Sequence, residues 1–389
     1  MRSGRHFLQI PGPSNVPDRV LRAIDLPTID HRGPEFMVMT KDIIQDLKKV
    51  FKTTSDVVIY PASGTGAWEA AMVNTLSAGD KVMMFETGQF AMLWNKLASD
   101  LGLVTEFLPG DWRGPADLSV IEDTLRADTN HEIKGVCIIH NETATGAASD
   151  VAGVRKVIDA VGHPALLFVD TVSSLGAMEY KHDEWGVDVT IAGSQKGLMM
   201  PPGMSFNAIS EKALAAHKNS TLPKAYWNWA PMLANMKDGS FPYTPATNLL
   251  YGLREAMNML FEEGLDNVFA RHQRFAEATR QAVQAWGLEN QCSDPAGFSP
   301  VLTAVRVPEG HDANELRAVI LKNFDMSLGT GLGKVAGEVF RIGHLGDLND
   351  LTLSGTLCGV EMGLGLARIP HQKGGVQQAL AYLAKTSAD

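Results

Sequence analysis

Lys196 lies in a short turn of small residues, Gly-Ser-Gln-Lys-Gly at 193–197, between an apolar run and the apolar segment 198–203. Such surroundings remove the amine from water. Desolvation lowers the pKa of a lysine and leaves more of it neutral and nucleophilic. A neutral amine can form a Schiff base with a carbonyl compound. A lysine that only solvates the surface would fit an exposed helix face better than this turn, so the position predicts a catalytic amine.

A second candidate is the segment 62–66, Ala-Ser-Gly-Thr-Gly, which follows a predicted strand and precedes a predicted helix starting at Ala67 or Trp68. Small residues let the backbone approach a ligand closely. The start of a helix offers unpaired N–H groups and the positive end of its dipole. These properties suit a phosphate group. The alternative, a tight turn whose hydroxyl residue only caps the helix, stays open from these residues alone.

Two charged residues stand at the end of, or within, apolar runs. Asp170 follows the run 166–169, and a buried carboxylate there needs a cationic partner. A protonated pyridine nitrogen would be such a partner; a helix cap is the alternative. Arg341 lies within the run 339–342, where its guanidinium suits bidentate capture of a carboxylate, or else a structural ion pair. The order of phosphate turn, aspartate and lysine predicts pyridoxal 5′-phosphate (PLP) as cofactor.

Short apolar runs alternate with helical patterns through the first two thirds of the chain. Several runs are apolar on both faces, as expected of a sheet covered by helices on both sides. The alternation favours an α/β domain with a doubly wound, mostly parallel sheet. The runs predicted as strands are 57–60, 81–85, 136–139, 166–169, 187–191 and 204–209, and the helices between them are 67–76, 90–100, 118–127 and 151–161.

Beyond residue 264 the pattern starts again with a long helix, followed by shorter strands and helices that indicate a smaller α+β domain. The predicted division is an N-terminal arm at 1–20, a large domain at 21–264 and a small C-terminal domain at 265–389. The segment 218–245 is rich in aromatic residues and proline and has little periodicity. A long loop of this kind is usually functional or lies at an interface.

The composition argues against several classes of partner. A net charge of −10 over 389 residues gives no basic surface for nucleic acid or an anionic membrane. We find neither a run of roughly 18–20 apolar residues that could span a membrane nor a secretory signal. Cys137, Cys292 and Cys358 are too far apart for a metal site or a disulfide framework. These features predict a cytoplasmic protein with small-molecule partners and no metal.

The motifs together resemble those of the class V, fold-type I PLP-dependent aminotransferases, and in particular the serine–glyoxylate and alanine–glyoxylate aminotransferases. The resemblance runs from Pro-Gly-Pro-Ser-Asn at 11–15 to Arg-Ile-Gly-His at 341–344. It implies a seven-stranded, mostly parallel sheet in the large domain. The most specific segments are 62–66, His-Asn-Glu-Thr-Ala-Thr-Gly at 140–146, Val-Asp at 169–170, 193–197, and Tyr-Gly-Leu-Arg-Glu at 251–255.

The resemblance also assigns roles to single residues. Lys196 would carry PLP and shuttle the proton, and Asp170 would pair with the pyridine nitrogen. Arg341 would bind the α-carboxylate of the substrate, with Gly12 and Arg32 as further substrate contacts. Arg32 could meet a second carboxylate of a dicarboxylic donor, or it could form a surface ion pair. The remaining cofactor contacts would be Ser63, Gly64, Thr65 and Gln195 at the phosphate, Phe90 on the ring and Thr143 at the phenolic oxygen.

In this family a neighbouring subunit completes the phosphate site. The resemblance places that contribution in segment 241–245, at Tyr243 and Thr244, although in strict register the family's tyrosine falls at Phe241. The active enzyme would then be a homodimer or a higher homo-oligomer.

The resemblance implies a ping-pong transamination from a small L-amino acid, with serine favoured, to glyoxylate, giving glycine and a 2-oxo acid. Aspartate, a hydroxyaspartate-type compound and alanine are the alternative donors. A PLP lyase of the cysteine desulfurase kind would need a nucleophilic cysteine on a mobile loop, and those enzymes typically place histidine where this chain has Gln195. A non-catalytic protein with a relic cofactor site is the remaining alternative.

Overall fold

Two main β-sheets organise the chain, each covered by its own helices. The computed structural model describes residues 4–387. The strands, in chain order, are β1 (Phe7–Gln9), β2 (Asp56–Tyr60), β3 (Lys81–Phe85), β4 (Val104–Leu108), β5 (Ile133–Ile139), β6 (Asn141–Glu142), β7 (Ala147–Ala148), β8 (Leu166–Asp170), β9 (Val189–Gly193), β10 (Ser205–Ile209), β11 (Glu289–Asn290), β12 (Leu302–Arg306), β13 (Met326–Thr330) and β14 (Val339–Gly343).

The helices lie between and after these strands. In chain order they are α1 (Asp18–Ile24), α2 (Pro34–Phe51), α3 (Gly64–Thr75), α4 (Gln89–Asp100), α5 (Leu118–Ala127), α6 (Val151–Val161), α7 (Glu211–His217), α8 (Trp229–Met236), α9 (Thr247–Glu263), α10 (Leu265–Ala285), α11 (Ala313–Phe324), α12 (Asp350–Leu366) and α13 (Gly375–Lys385).

The large sheet has seven strands in the order β2-β10-β9-β8-β5-β3-β4. The neighbours from β9 to β4 pair in parallel, whereas β10 runs antiparallel to both β2 and β9. Every residue of β8, β9 and β10 is buried, as expected of central strands covered by helices on both faces. The predicted α/β architecture with a mostly parallel seven-stranded sheet is therefore confirmed.

The parallel strands bring their carboxyl ends to one edge of the sheet. The turns that follow β2, β5, β8 and β9 meet there, and these turns hold most of the residues predicted to do chemistry. Ligands of open α/β sheets bind at this edge. The topology therefore collects residues that are far apart in sequence.

The second sheet has five strands in the order β1-β13-β14-β12-β11. Strand β1, close to the N-terminus, pairs in parallel with β13, so the first residues of the chain complete the smaller sheet. Helices α10–α13 pack on one another and α11 packs on β13, which gives this part its own hydrophobic core. A smaller α+β unit is thus present. Its predicted boundaries, at residues 20 and 264, stay predictions.

Several elements, among them β4, α1 and α2, were not predicted from the sequence, and two further differences concern the site and segment 218–245. Helix α3 begins at Gly64 rather than at Ala67, because the two glycines and Thr65 form its first turn. Segment 218–245 contains a helix, α8, whose Asn228 side chain caps its N-terminus by accepting the Ala230 N–H at 3.1 Å. Its apolar residues are not periodic enough for the sequence to indicate this short helix.

Within residues 4–387, we find no helix that combines the length and the apolar character needed to cross a membrane.

Candidate active site

A cavity of about 270 Å³ lies at the carboxyl edge of the large sheet. The turns after β2, β5, β8 and β9, the start of α4 and the N-terminal segment before α1 form its walls. Nine of the predicted site residues line it, together with Pro13, Trp68, Ile139, Asn141, Val172, Ser173 and Pro202. The nine are Gly12, Ser63, Gly64, Thr65, Phe90, Thr143, Asp170, Gln195 and Lys196.

Lys196 is only 9% exposed. Its Nζ donates a hydrogen bond to the Pro11 carbonyl. Burial and, to a smaller extent, the charge of Arg341 lower the pKa of Lys196 to about 8, while the charges of Asp170 and Glu142 oppose the shift. This shift makes a much larger fraction of the amine neutral near pH 7 than an exposed lysine would have.

Gly12 gives Lys196 its space. A Cβ atom at Gly12 would lie 2.5 Å from Lys196 Nζ, and the backbone of Gly12 has a φ of +105°, which side chains rarely allow. Glycine at this position therefore leaves room for the lysine side chain within the cavity wall.

Asp170 ends β8 and is almost completely buried. Its Oδ1 accepts the Val172 N–H at 2.7 Å, and its Oδ2 accepts the Trp68 Nε1–H at 2.7 Å. Burial raises the pKa of Asp170 to about 6, and these two hydrogen bonds and the charge of Lys196 oppose the rise. A cation bound in the cavity beside this carboxylate would bring its pKa back down.

The N-terminus of α3 opens into the same cavity. Ser63 is its N-cap residue, but the Ser63 side chain makes no capping hydrogen bond, so the hydroxyl is available to a ligand. The first N–H groups of a helix have no intrahelical acceptor. Gly64 is required here, because a Cβ atom at that position would lie 2.5 Å from Val172 Cγ2. This arrangement suits an anion.

Phe90 is the second residue of α4, and Glu142 fixes the start of that helix. The Glu142 carboxylate accepts the N–H groups of Phe90 and Ala91, each at 3.1 Å, and that of Ala144 at 2.9 Å. Gly88 makes this contact possible, since a Cβ atom there would lie 2.6 Å from Glu142 Cδ. Burial raises the pKa of Glu142 to about 7, against the effect of these hydrogen bonds.

Arg341 approaches the site from β14 of the small sheet. Its Nε donates to the Thr330 carbonyl and its Nη1 to the Thr143 carbonyl, both at 2.7 Å. The side chain is largely buried, and burial lowers the pKa of Arg341 to about 10. The guanidinium thus remains charged at neutral pH and joins the small sheet to the turn at Thr143 between β6 and β7.

Four predicted residues lie outside the cavity wall of the described chain: Arg341, described above, and Arg32, Tyr243 and Thr244. Arg32 is exposed, and its backbone N–H donates to Asp30 Oδ1 at 2.9 Å. Thr244 is exposed as well. The ring of Tyr243 stacks on that of Tyr226, with 4.2 Å between the ring centroids.

Comparison with known proteins decides the family. The family described as aminotransferase class-V matches residues 6–336.

The chain belongs to the class-V aminotransferase family.

Relatives in this family are similar over nearly the whole length. The serine–glyoxylate aminotransferase of Methylorubrum extorquens is 49% identical, over 98% of this chain and 97% of that protein. The L-aspartate–glyoxylate aminotransferase of Paracoccus denitrificans is 45% identical, over 97% and 96%. The crystal structure of ureidoglycine–glyoxylate aminotransferase from Bacillus subtilis superimposes with a TM-score of 0.90 at 25% identity, over 99% of both chains. Membership of this family implies PLP as the cofactor.

Two residues of this aminotransferase site, Trp68 and Glu142, were not predicted from the sequence. Glu142 lies inside the motif at 140–146, next to Thr143, so its position in that motif was a usable signal. Trp68 lies one turn into α3, where a large aromatic residue usually indicates core packing. Its contact with Asp170 depends on how α3 packs on the large sheet, over β9 and β10, which periodicity does not reveal.

Proposed function

We propose that this aminotransferase uses PLP to move the amino group of a small L-amino acid, with serine preferred, to glyoxylate. The products are a 2-oxo acid and glycine. The observation that carries the proposal is that Lys196, Asp170 and the N-terminus of α3 surround one cavity. A reactive amine, a buried anion and a phosphate-binding helix start are what PLP requires of a protein. The names of the relatives described above support glyoxylate and serine.

The cavity wall fits PLP in size and in chemistry. A volume of about 270 Å³ is close to the lower end of small-molecule sites, roughly 300 Å³. Oε1 of Gln195 is buried and has no hydrogen-bond partner among residues 4–387. These observations support the proposed cofactor contacts: Ser63, Gly64, Thr65 and Gln195 for the phosphate, Phe90 for the ring face, Thr143 for the phenolic oxygen and Asp170 for the ring nitrogen.

When bound, PLP supplies an electron sink for the electron pair that remains on the α-carbon of the donor after deprotonation. The protein supplies the remaining functions. Lys196 would hold the cofactor covalently, and its Nζ, once free, would take the proton from the α-carbon of the donor. In the second half of the ping-pong cycle the same amine returns a proton to the α-carbon of glycine. Asp170 would keep a negative charge beside the ring nitrogen.

The lowered pKa of Lys196 predicts how fast the apoprotein binds PLP covalently. For a pKa of about 8, the neutral amine fraction rises roughly tenfold between pH 7 and pH 9 and then levels off. We expect the rate of covalent uptake, followed by stopped-flow absorbance, to rise in the same way. The Lys196→Ala apoprotein serves as control and should show no covalent uptake. A rate that continues to rise steeply through pH 10 would mean that the amine behaves as an exposed lysine.

We expect Arg341→Lys to weaken substrate binding, because lysine keeps the charge but loses the planar fork that can grip a carboxylate. KM should rise for serine and glyoxylate alike, by roughly 30-fold or more, the factor that corresponds to about 2 kcal/mol or more for a damaged charge pair. Steady-state kinetics with each substrate varied in turn would measure both KM values. Arg306→Lys, in the neighbouring strand β12, is the matched control and should change neither KM. Unchanged KM values in Arg341→Lys would remove Arg341 from the site.

The charges around the cavity support serine over aspartate as the donor. Among the described residues that line it, Lys196 is the one cation. Arg341 lies just behind the lining, buried and donating to the carbonyl of the lining residue Thr143, and a dicarboxylic donor would need a further cation for its second carboxylate. Arg32, proposed for that role, is exposed outside the wall. A panel of L-serine, L-alanine and L-aspartate with glyoxylate, read by glycine formation, tests the choice. Serine should give the highest kcat/KM. A higher value for aspartate would overturn the proposed preference for serine.

A desulfurase reaction receives little support from the cysteines. The Cys292 thiol is buried and points to the carbonyls of Asp294 and Gly297, and burial raises its pKa. Cys137 is buried within β5. Neither thiol lines the cavity, whereas a nucleophilic cysteine needs access to substrate and a lowered pKa.

We also propose that two copies of the chain form the active unit, with Tyr243 and Thr244 of one copy reaching the phosphate site of the other. Both residues lie outside the cavity wall of their own chain, and the proposal rests on the family resemblance of segment 241–245. Sedimentation analysis of the PLP-loaded protein should give a dimer or a larger homo-oligomer. An active monomer would exclude the arrangement.

A further inference from the structure

We propose that Trp68 is a positioning residue for Asp170: its indole N–H holds one carboxylate oxygen so that the charged carboxylate keeps facing the ring nitrogen of the cofactor. This inference rests on the proposed function, because it concerns what the protein does to bound PLP. It gives Trp68 of α3 a role in the active site, whereas a large aromatic residue in a helix by itself indicates core packing.

The geometry at the carboxylate carries the proposal. Trp68 is buried, and its Nε1 lies 2.7 Å from Oδ2 of Asp170. The Val172 N–H holds the other oxygen, Oδ1, also at 2.7 Å. With one donor on each oxygen, the plane of the carboxylate is fixed. Each carboxylate oxygen has two lone-pair sites, so one site per oxygen remains for a donor in the cavity.

The indole of Trp68 is itself held in place. Its ring stacks on that of Trp94 in α4, with 5.6 Å between the ring centroids and 8° between the planes. Trp94 is buried as well, yet its own Nε1 has no hydrogen-bond partner among the residues described. The stacked pair therefore contains one indole N–H that binds Asp170 and one that does not. This difference provides a matched control.

The hydrogen bond acts on the charge of Asp170. Burial raises the pKa of this carboxyl, and the Val172 and Trp68 N–H groups lower it again. Hydrogen bonds to the ionised form favour that form. Without the indole N–H, Asp170 would be protonated at a higher pH, and a neutral Asp170 would no longer favour a proton on the ring nitrogen.

Other charged groups also act on this carboxylate and must be considered in any pH titration. Lys196, in the turn after β9, favours the ionised form of Asp170. Glu142, at the end of β6, and Asp170 repel each other. Arg341 acts on the pKa of Lys196. A substitution at position 68 that preserves the aromatic ring leaves all three side chains in place.

Two replacements remove the N–H and keep an aromatic ring: Trp68→Phe, and Trp68 replaced by β-(3-benzothienyl)alanine, which has the shape of tryptophan but no donor. Trp94→Phe is the control. The protonation of the ring nitrogen is read from the ¹⁵N chemical shift of PLP labelled at that nitrogen, bound to the protein and titrated with pH. The pH profile of kcat is measured alongside. The benzothienyl variant keeps the packing volume should Trp68→Phe fold poorly.

In both Trp68 variants the bound ring nitrogen should shift toward the neutral pyridine value at neutral pH. Their kcat should fall by roughly tenfold or more, the factor expected for the loss of one hydrogen bond to a charged group. Trp94→Phe should keep the wild-type ¹⁵N shift. Trp68 variants with the wild-type shift and pH profile would overturn the inference and leave the proposed function intact. A wild-type protein that binds no PLP would overturn both.

Discussion

Replacing Lys196 with alanine is expected to lower the rate of transamination by at least about 10³-fold, because a positioned general acid and base alone contributes roughly 10²–10⁴-fold. The substitution removes both the covalent anchor of the cofactor and the amine that moves the proton at the α-carbon. Ser63, Gly64, Thr65 and Asp170 remain in place, so PLP should still bind without a covalent link. Glycine formation from serine and glyoxylate measures the loss.

The matched control is Lys156→Ala, which removes an exposed lysine from α6 and should leave turnover unchanged. Circular dichroism and thermal melting should show that Lys196→Ala stays folded, since its side chain contributes one hydrogen bond to a backbone carbonyl, that of Pro11. If Lys196→Ala retained more than a tenth of the wild-type rate, another group would have to perform the proton transfer.

Replacing Asp170 with asparagine is expected to lower kcat by roughly 10²-fold or more, the cost of removing one preorganised electrostatic contact from a buried site. Asparagine keeps the size of the side chain and removes its negative charge. The substrate carboxylate binds elsewhere, at Arg341, so KM should change much less than kcat. Steady-state kinetics with serine and glyoxylate separates these two effects.

Asp188→Asn is the control for this experiment. Asp188 is another buried carboxylate beside the same sheet, and it accepts hydrogen bonds from the Leu167 N–H and the Ser210 hydroxyl, at 2.9 Å each. Its loss should lower stability and leave kcat nearly unchanged. If the two variants lost the same modest activity, the effect of Asp170→Asn would come from stability and not from the loss of the charge at the ring nitrogen.

The local sequence was sufficient to predict a candidate site residue where that residue ends or closely follows a strand. The turn after β2, the aspartate that ends β8 and the lysine after β9 each follow a short apolar run that periodicity could identify. Because parallel strands place their carboxyl ends at one edge, the meeting of these turns followed from the predicted architecture. The family resemblance then added roles to single residues.

Contacts between distant residues could not be predicted in this way. Trp68 and Asp170 are 102 positions apart, and Thr143 and Arg341 are 198 apart. Strand β1 joins a sheet whose other strands come from the last third of the chain. Such contacts depend on how helices and sheets pack, and local propensity carries no information about that. The helix α8 was missed for a related reason, since its stability comes from a capping side chain and buried residues rather than from a long periodic pattern.

A half-reaction tests the central claim most directly. The purified PLP-loaded protein is mixed with L-serine without any oxo acid, and then with glyoxylate. The ping-pong account predicts one equivalent of 2-oxo acid per site and loss of the visible absorbance in the first step. It predicts one equivalent of glycine and recovery of the absorbance in the second. Release of ammonia with continuous turnover of serine in the first step, or no 2-oxo acid before glyoxylate is added, would contradict it.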